Sequence, residues 1–467
     1  MKLFALTIIF VLSIINMDLL AQTYTMPPEH QTHEGTWLQW PHQYEYGLTY
    51  RERLDTTWIE MTQALVGSEK VHIIAYDTVE RNRIIGLLDT AGVSLANVDF
   101  KIFRTNDVWV RDNGPIFVRD SSGNLLVEDW GFNGWGGKFN YILDNVIPDS
   151  VGKSIGMPVL NLDSIMTIEG GAYEIDGNGV FMACKSSILS QSPPNTVRNP
   201  GMTQAEAETI LSEYLGVSKF IWLDGITGLD ITDMHIDGFA TFANDSTIVT
   251  MDDSDLTYWE LPATDITTLY NATDIHGKPY NFVYLPLTAN NVVTAYGNDL
   301  GYQGSYVNYY VANTVVLVPK YFDPNDSVAN SIIQGLYPGK TVIGIDVRNL
   351  YENGGMVHCV TQQQPYTHTA GINEINKKHS GVILEQNFPN QFSDVTTISF
   401  SIENDADVKI DIYNSLGQFV ATVLNERISV GKHAINISAK DLPNGVYYYV
   451  LKENNQSMVG KKMIVDK

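Results

Sequence analysis

The 467-residue chain is predicted to be α/β, built from hairpin-and-helix modules set around an axis and followed by a small all-β sandwich. Three observations predict this. Four segments share one shape: an apolar strand, a polar turn and a second strand. Helical patterns lie between them, and the composition shifts near residue 380 to short alternating strands. A doubly wound sheet is the competing architecture for the same alternation.

Residues 1–21 read as a signal peptide, with Lys2 as a positive start, an apolar stretch from Phe4 to Ile15, and Leu19 and Ala21 before Gln22. That stretch is shorter than a spanning helix, and no later segment approaches the roughly 18 apolar residues such a helix needs. Residues 22–375 form the working domain. Its hairpins are GPIFVRDSSGNLLVEDW, GGAYEIDGNGVFMAC, DGFATFANDSTIVTMD and VNYYVANTVVLVPKY, with GGMVHCVTQQQ as a shorter return, so five modules fit the length. Between them run RERLDTTWIEMTQALVG and MTQAEAETILSEYLG. The second helix is bounded by Thr203 as N-cap, Glu206 three residues on, and Gly216 as its stop. A polar linker, residues 376–381, leads into a tail, 382–467, of strands such as TTISFSI, DVKIDIYN and GVYYYVLKEN.

The chain carries 53 acidic and 29 basic residues, a net charge of −24. Such a surface repels nucleic-acid phosphates and anionic lipid and suits a cationic partner. Only Cys184 and Cys359 occur, so a disulfide between them is one reading for an exported protein. Zinc is a weaker one, because no second Cys/His pair stands at ligand spacing beside His358 and Cys359.

Three motifs carry chemistry. DVWVRDNGP, residues 107–115, sets Trp109 beside carboxylates: a planar cation can stack on the indole while Asp112 accepts its hydrogens. By itself it also fits a salt bridge from Arg111 to a neighbouring Asp. DITDMHIDGF, residues 230–239, places His235 and Asp237 on one face if extended, as for an acid/base histidine held by a carboxylate. ENGGMVHCVTQQQP, residues 352–365, puts Cys359 at a strand start after Gly354 and Gly355, which let a ligand approach the backbone. Asp112, Glu169, His235 with Asp237, Asn308 and Cys359 each fall near the start of a hairpin. In a propeller-like array such positions converge at the centre.

RDNGP, IEGG with DGNG, RNPGM, TDMHIDGF, NNVVTAYGN, VNYYVAN and GGMVHCVTQQ together resemble the agmatine deiminase and bacterial peptidylarginine deiminase family over about 350 residues. The tail, with EQNFPNQF, IYNSLGQFV, LPNGVYYYVL and KKMIV, resembles the type A sorting domain of the type IX secretion system. The first resemblance implies a five-bladed α/β-propeller with Cys359 as nucleophile and His235 as general acid/base. It also implies that Asp112 and Asp237 grip the guanidinium, and that no metal or organic cofactor is needed. The second implies periplasmic passage, outer-membrane translocation by the secretion machinery, and cleavage or surface attachment.

No arginine lies between Arg119 and Arg198, where the secreted peptidylarginine deiminase carries carboxylate-binding arginines; the stretch reads GFNGWGGKF. This resembles the agmatine enzymes. Glu169 is then expected to meet a distal ammonium, with Trp109, Trp135, Asn308 and Gly355 as further substrate contacts. Met234 stands where the family has a Gly, and Asn353 replaces the first Gly of a GGG run. Peptide arginine stays an alternative substrate. An amidinotransferase and a non-catalytic surface binding protein are the competing functions.

Overall fold

Alternating apolar strands separated by polar turns close into antiparallel hairpins, and each hairpin then meets a parallel third strand delivered by a helix. The computed structural model describes residues 24–189, 198–366 and 382–467, except 403, 415–418, 441 and 454–455. The expected leader and linker lie outside the described residues. Four three-stranded sheets follow this plan. In the first, Ile116–Arg119 pairs antiparallel with Leu125–Gly131, which pairs parallel with Val159–Thr167 after the helix Ile147–Ile155. The others begin at Tyr173–Ile175, Ala240–Asn244 and Tyr310–Val311. The fifth sheet has the order Gln362–Pro365, His33–Gln39, Lys70–Ala75, Val98–Ile102, so the chain's return strand closes onto its first.

The helices bury one stripe each. Gln43–Leu65 buries its own Leu54, Trp58, Met61 and Leu65. Gln204–Leu215 is bounded as the sequence predicts: Thr203 and Glu206 form a reciprocal capping box, and Gly216 ends it at φ +71°. The largest apolar cluster runs through the described part of the working domain, from Leu38 to Val360.

The tail forms two antiparallel sheets, one of three strands and one of four. Val395–Ile402 alternates buried and half-exposed positions. Its apolar side and that of the second sheet share one cluster that includes Ile398, Phe400, Ile410, Tyr449 and Met463. Among the described residues no helix is long and apolar enough to cross a membrane.

One alternative falls away, and one expectation needs correction. Cys184 and Cys359 are both free: Cys184 is buried in the strand Val180–Cys184, and Cys359 is half-buried elsewhere, so no disulfide forms. His235 is extended, but Asp237 is not. Ile236–Gly238 is a 3-10 turn, and that turn, not strand alternation, brings both side chains inward.

Candidate active site

The chemistry-bearing residues sit on short turns just before the first strand of each sheet. Asp112 lies in the helix Val110–Asn113, Glu169 caps the turn Gly170–Ala172, Asp237 lies in Ile236–Gly238, and Cys359 lies in His358–Val360. A turn there aims its side chain off the end of the sheet, and four such ends meet. Gly171 marks the meeting point: a Cβ on it would lie 2.8 Å from Asp112 Oδ1, 2.9 Å from His235 Nδ1 and 3.0 Å from Asp237 Oδ2. The crowding leaves room for no side chain at all.

Cys359 Sγ is 3.7 Å from Asp237 Oδ2 and accepts from Asn308 Nδ2 at 3.3 Å. Burial pushes the thiol well above its usual range, and Asp237 and Asp112 add to the effect. His235 lies with Nδ1 3.6 Å from Asp112 Oδ1 and Nε2 3.3 Å from Glu169 Oε2. Burial alone would depress its pKa, but Asp112, Glu169 and Asp237 outweigh that and hold it up at about 9. For Asp112 burial wins and raises the carboxyl to about 6, against the pull of His235. Burial works the same way on Asp237, yet His358 and His235 hold it below the usual carboxylate range.

A cavity of about 470 Å³ opens onto this group, with Cys359, Asp112, Trp109, Trp135 and Gly355 on its wall. Gly355 packs on the Trp109 ring, where a Cβ would come within 2.1 Å of the indole. Trp135 donates Nε1–H to Asp112 Oδ2 at 2.9 Å. It is aimed there by a backbone turn with positive φ from Gly134 to Gly137, including Trp135 itself at +55°. That conformation costs an L-residue roughly 1–2 kcal/mol. Glu45, Asp107, Asp230 and Glu352 line the cavity as well, and among the described residues no Lys or Arg does.

Glu169 is not at the far end of the cavity. It is fully buried behind His235, with Arg198 Nε 3.1 Å from Oε1. Burial opposes its ionisation, but Arg198 and His235 more than compensate and lower its pKa. The expectation that it meets a distal ammonium is therefore wrong, because both its oxygens are already taken.

Several residues here escaped sequence reasoning. Arg198 also pairs with Asp233, which in turn accepts from Lys138 Nζ at 2.9 Å. Glu29 and His358 form a further charged layer behind Asp237. Arg111 pairs with Glu29 at 3.0 Å, not with a neighbouring Asp. RNPG and the His of VHC were visible signals for two of these; Glu29 carried none.

Residues 25–365 match the sequence model of the Porphyromonas-type peptidyl-arginine deiminases, and residues 386–466 that of a secretion system C-terminal sorting domain. A Latilactobacillus sakei protein provisionally named an agmatine deiminase is 31% identical over 73% of this chain and 96% of its own. A solved Porphyromonas gingivalis structure, provisionally named an arginine deiminase, is 32% identical with a TM-score of 0.63, covering 74% of this chain and 99% of that one. The structure of C. jejuni agmatine deiminase with substrate bound is 26% identical, with a TM-score of 0.63 over 75% and 99% of the two chains. The class so defined is a hydrolase acting on the C–N bonds of linear amidines. The chain belongs to the Porphyromonas-type peptidyl-arginine deiminase family.

Proposed function

We propose that this protein is an exported guanidine deiminase that works through a covalent thiouronium on Cys359, with a small cationic guanidine of the agmatine type as substrate. The observation that carries the reading is the acidic cavity: Cys359 and Asp112 share its wall, and four further carboxylates line the rest, with no cation among the described residues. A guanidinium stays protonated at any working pH, so two carboxylates can grip its planar fork and hold its carbon over a thiol. Asp112 and Asp237 are proposed for that grip, Cys359 as nucleophile and His235 as general acid/base.

The arriving cation and the imidazolium of His235 both favour the thiolate that burial and carboxylates oppose. Sulfur attacks the guanidinium carbon, and the tetrahedral adduct expels ammonia with a proton from His235. Water then attacks the thiouronium, giving up a proton to His235. The C–S bond breaks and the ureido product leaves. Trp109 and Trp135 would flank the alkyl chain, and Asn308 would hold the sulfur.

The lining carboxylates Glu45, Asp107, Asp230 and Glu352 suit a distal ammonium better than a carboxylate. This favours agmatine, giving N-carbamoylputrescine, over arginine with a free C-terminus. Peptide arginine is the second reading. It is favoured by Phe139, Ile231 and Tyr302, which line the cavity and are each more than a third exposed.

Four sheets on one plan and a fifth closed by the return strand Gln362–Pro365 onto His33–Gln39 support a five-bladed α/β-propeller. The sorting domain supports type IX export to the medium or cell surface, with residues 1–21 as leader, 22–375 as enzyme and 382–467 as sorting domain. Incubating the protein with agmatine, free arginine and arginine peptides, and assaying ammonia and ureido product, tests the substrate. Agmatine turnover is expected, and failure to release ammonia from all three would defeat the reading.

A further inference from the structure

Behind Asp237 lies a second charged layer that the reaction as derived does not use. His358 Nδ1 is 2.8 Å from Asp237 Oδ2, and Nε2 is 2.9 Å from Glu29 Oε2. A neutral imidazole carries one N–H and can donate to only one carboxylate; two carboxylate partners require both nitrogens protonated. His358 is 5% exposed, so bulk solvent does not take the place of either partner. Glu29 is fixed in turn by Arg111 Nη2 at 3.0 Å and by the backbone N–H of Val311 at 2.8 Å. Arg111 also donates Nε–H to the His358 carbonyl at 3.3 Å and Nη1–H to Gln363 at 2.9 Å. The helix that carries Asp112 is thereby tied to the turn that carries the nucleophile.

The same oxygen, Asp237 Oδ2, faces both His358 and the Cys359 thiol. We propose that His358 is a positioning residue whose buried positive charge, clamped between Asp237 and Glu29, balances Asp237 and so lets Cys359 become a thiolate. The role rests on the deiminase reading for its purpose, though not for its detection.

Every charged group facing His358 bears on this. Asp237 and Glu29 hold the proton, Arg111 opposes it, and the neighbouring Cys359 gains from it. A small cavity of about 30 Å³ beside the ring is also lined by Glu174 and His30. Burial raises Glu174 to about 7, so it adds negative charge near His358 only above neutrality and then reinforces the imidazolium. His358 itself is held up at about 9: burial and Arg111 pull down, and Glu29 and Asp237 outweigh them.

The test is the pH profile of Cys359 alkylation by iodoacetamide in the full chain, followed by peptide mass spectrometry, for wild type and H358N. Asn can keep a donor toward Asp237 but carries no charge. The midpoint is expected to rise by about one pH unit or more, which slows alkylation about tenfold below it. With agmatine as substrate, kcat should fall while KM does not rise, because the site has become more negative. A folded H358N with an unshifted midpoint overturns the proposal. If the melting curve shows that H358N does not fold, E29Q decides. It keeps His358 and its shape, and loss of the rear carboxylate should let the imidazolium deprotonate earlier, moving the alkaline limb of kcat to lower pH. An unmoved limb and an unchanged alkylation profile in E29Q also overturn it. If wild type turns over no guanidine, the deiminase reading fails, while the alkylation midpoints still decide the role of His358.

Discussion

Burial and two carboxylates oppose the ionisation of Cys359, so its thiolate depends on the positive charges brought near it. C359A should therefore keep its melting temperature, because the half-buried thiol fills little space, and lose all turnover; residual activity above background would remove the thiol from the mechanism. Glu169 acts one step further back. It touches His235 Nε2 and helps hold that ring's pKa at about 9. In E169Q the imidazolium loses a carboxylate, so the alkaline limb of kcat should move toward neutrality, with a loss of about tenfold or more at pH 8. An unmoved limb would mean that Glu169 serves packing alone. Its real place also shows why one carboxylate was misjudged: IEGG advertises an acid near the site, but its partner Arg198 is set by tertiary structure.

At the scale of elements, the turns before each sheet decide the geometry. Local signals marked them well. Gly-rich turns, apolar alternation and the Thr203 cap are written in neighbouring residues, and the hairpins and the helix Gln204–Leu215 lie where those signals put them. Contacts such as that of Glu29 with His358, 329 positions apart, leave no local trace. The turn Gly170–Ala172 gives the sharpest test. Gly171 has an ordinary backbone conformation, so Ala is tolerated by the chain itself, yet its Cβ would lie within 3.0 Å of Asp112, His235 and Asp237. The carboxylates must part by several tenths of an ångström. G171A should lose about 10²-fold in kcat/KM, as for small misplacements of catalytic groups, with only a modest drop in thermal stability. Wild-type kcat/KM in G171A would show that the convergence at this point does not matter to the reaction.

The whole molecule stores protons in its folded state, and this sets how stability depends on pH. His235 and His358 are held at about 9, above the roughly 6.5 of an unfolded chain, so their contribution is complete below about 6.5 and is lost as pH rises through about 9. Asp144, raised by burial to about 8, and Glu174, raised by burial to about 7, have the same sign. Each stays protonated when folded and ionises when unfolded. Glu29 and Glu34 oppose them only on the acid side. Both are lowered to about 2, Glu29 chiefly by His358 against burial and Glu34 chiefly by a hydrogen bond from His72. Their contribution is present above about 4.5 and is lost as pH falls toward 2. The net charge of −24 adds self-repulsion as the last protons leave. The melting temperature of the working domain should thus peak at about pH 4.5, decline above it as Asp144 and Glu174 ionise in the unfolded chain, and fall more steeply between about 6.5 and 9 as the two histidines lose their advantage. The tail has its own buried cluster, and these groups all precede it, so a calorimetric transition from the tail should barely move. H358N should flatten the alkaline slope by removing one stored proton. A working-domain transition that stays level or rises between pH 6.5 and 9 would show that these buried groups do not keep their protons in the fold.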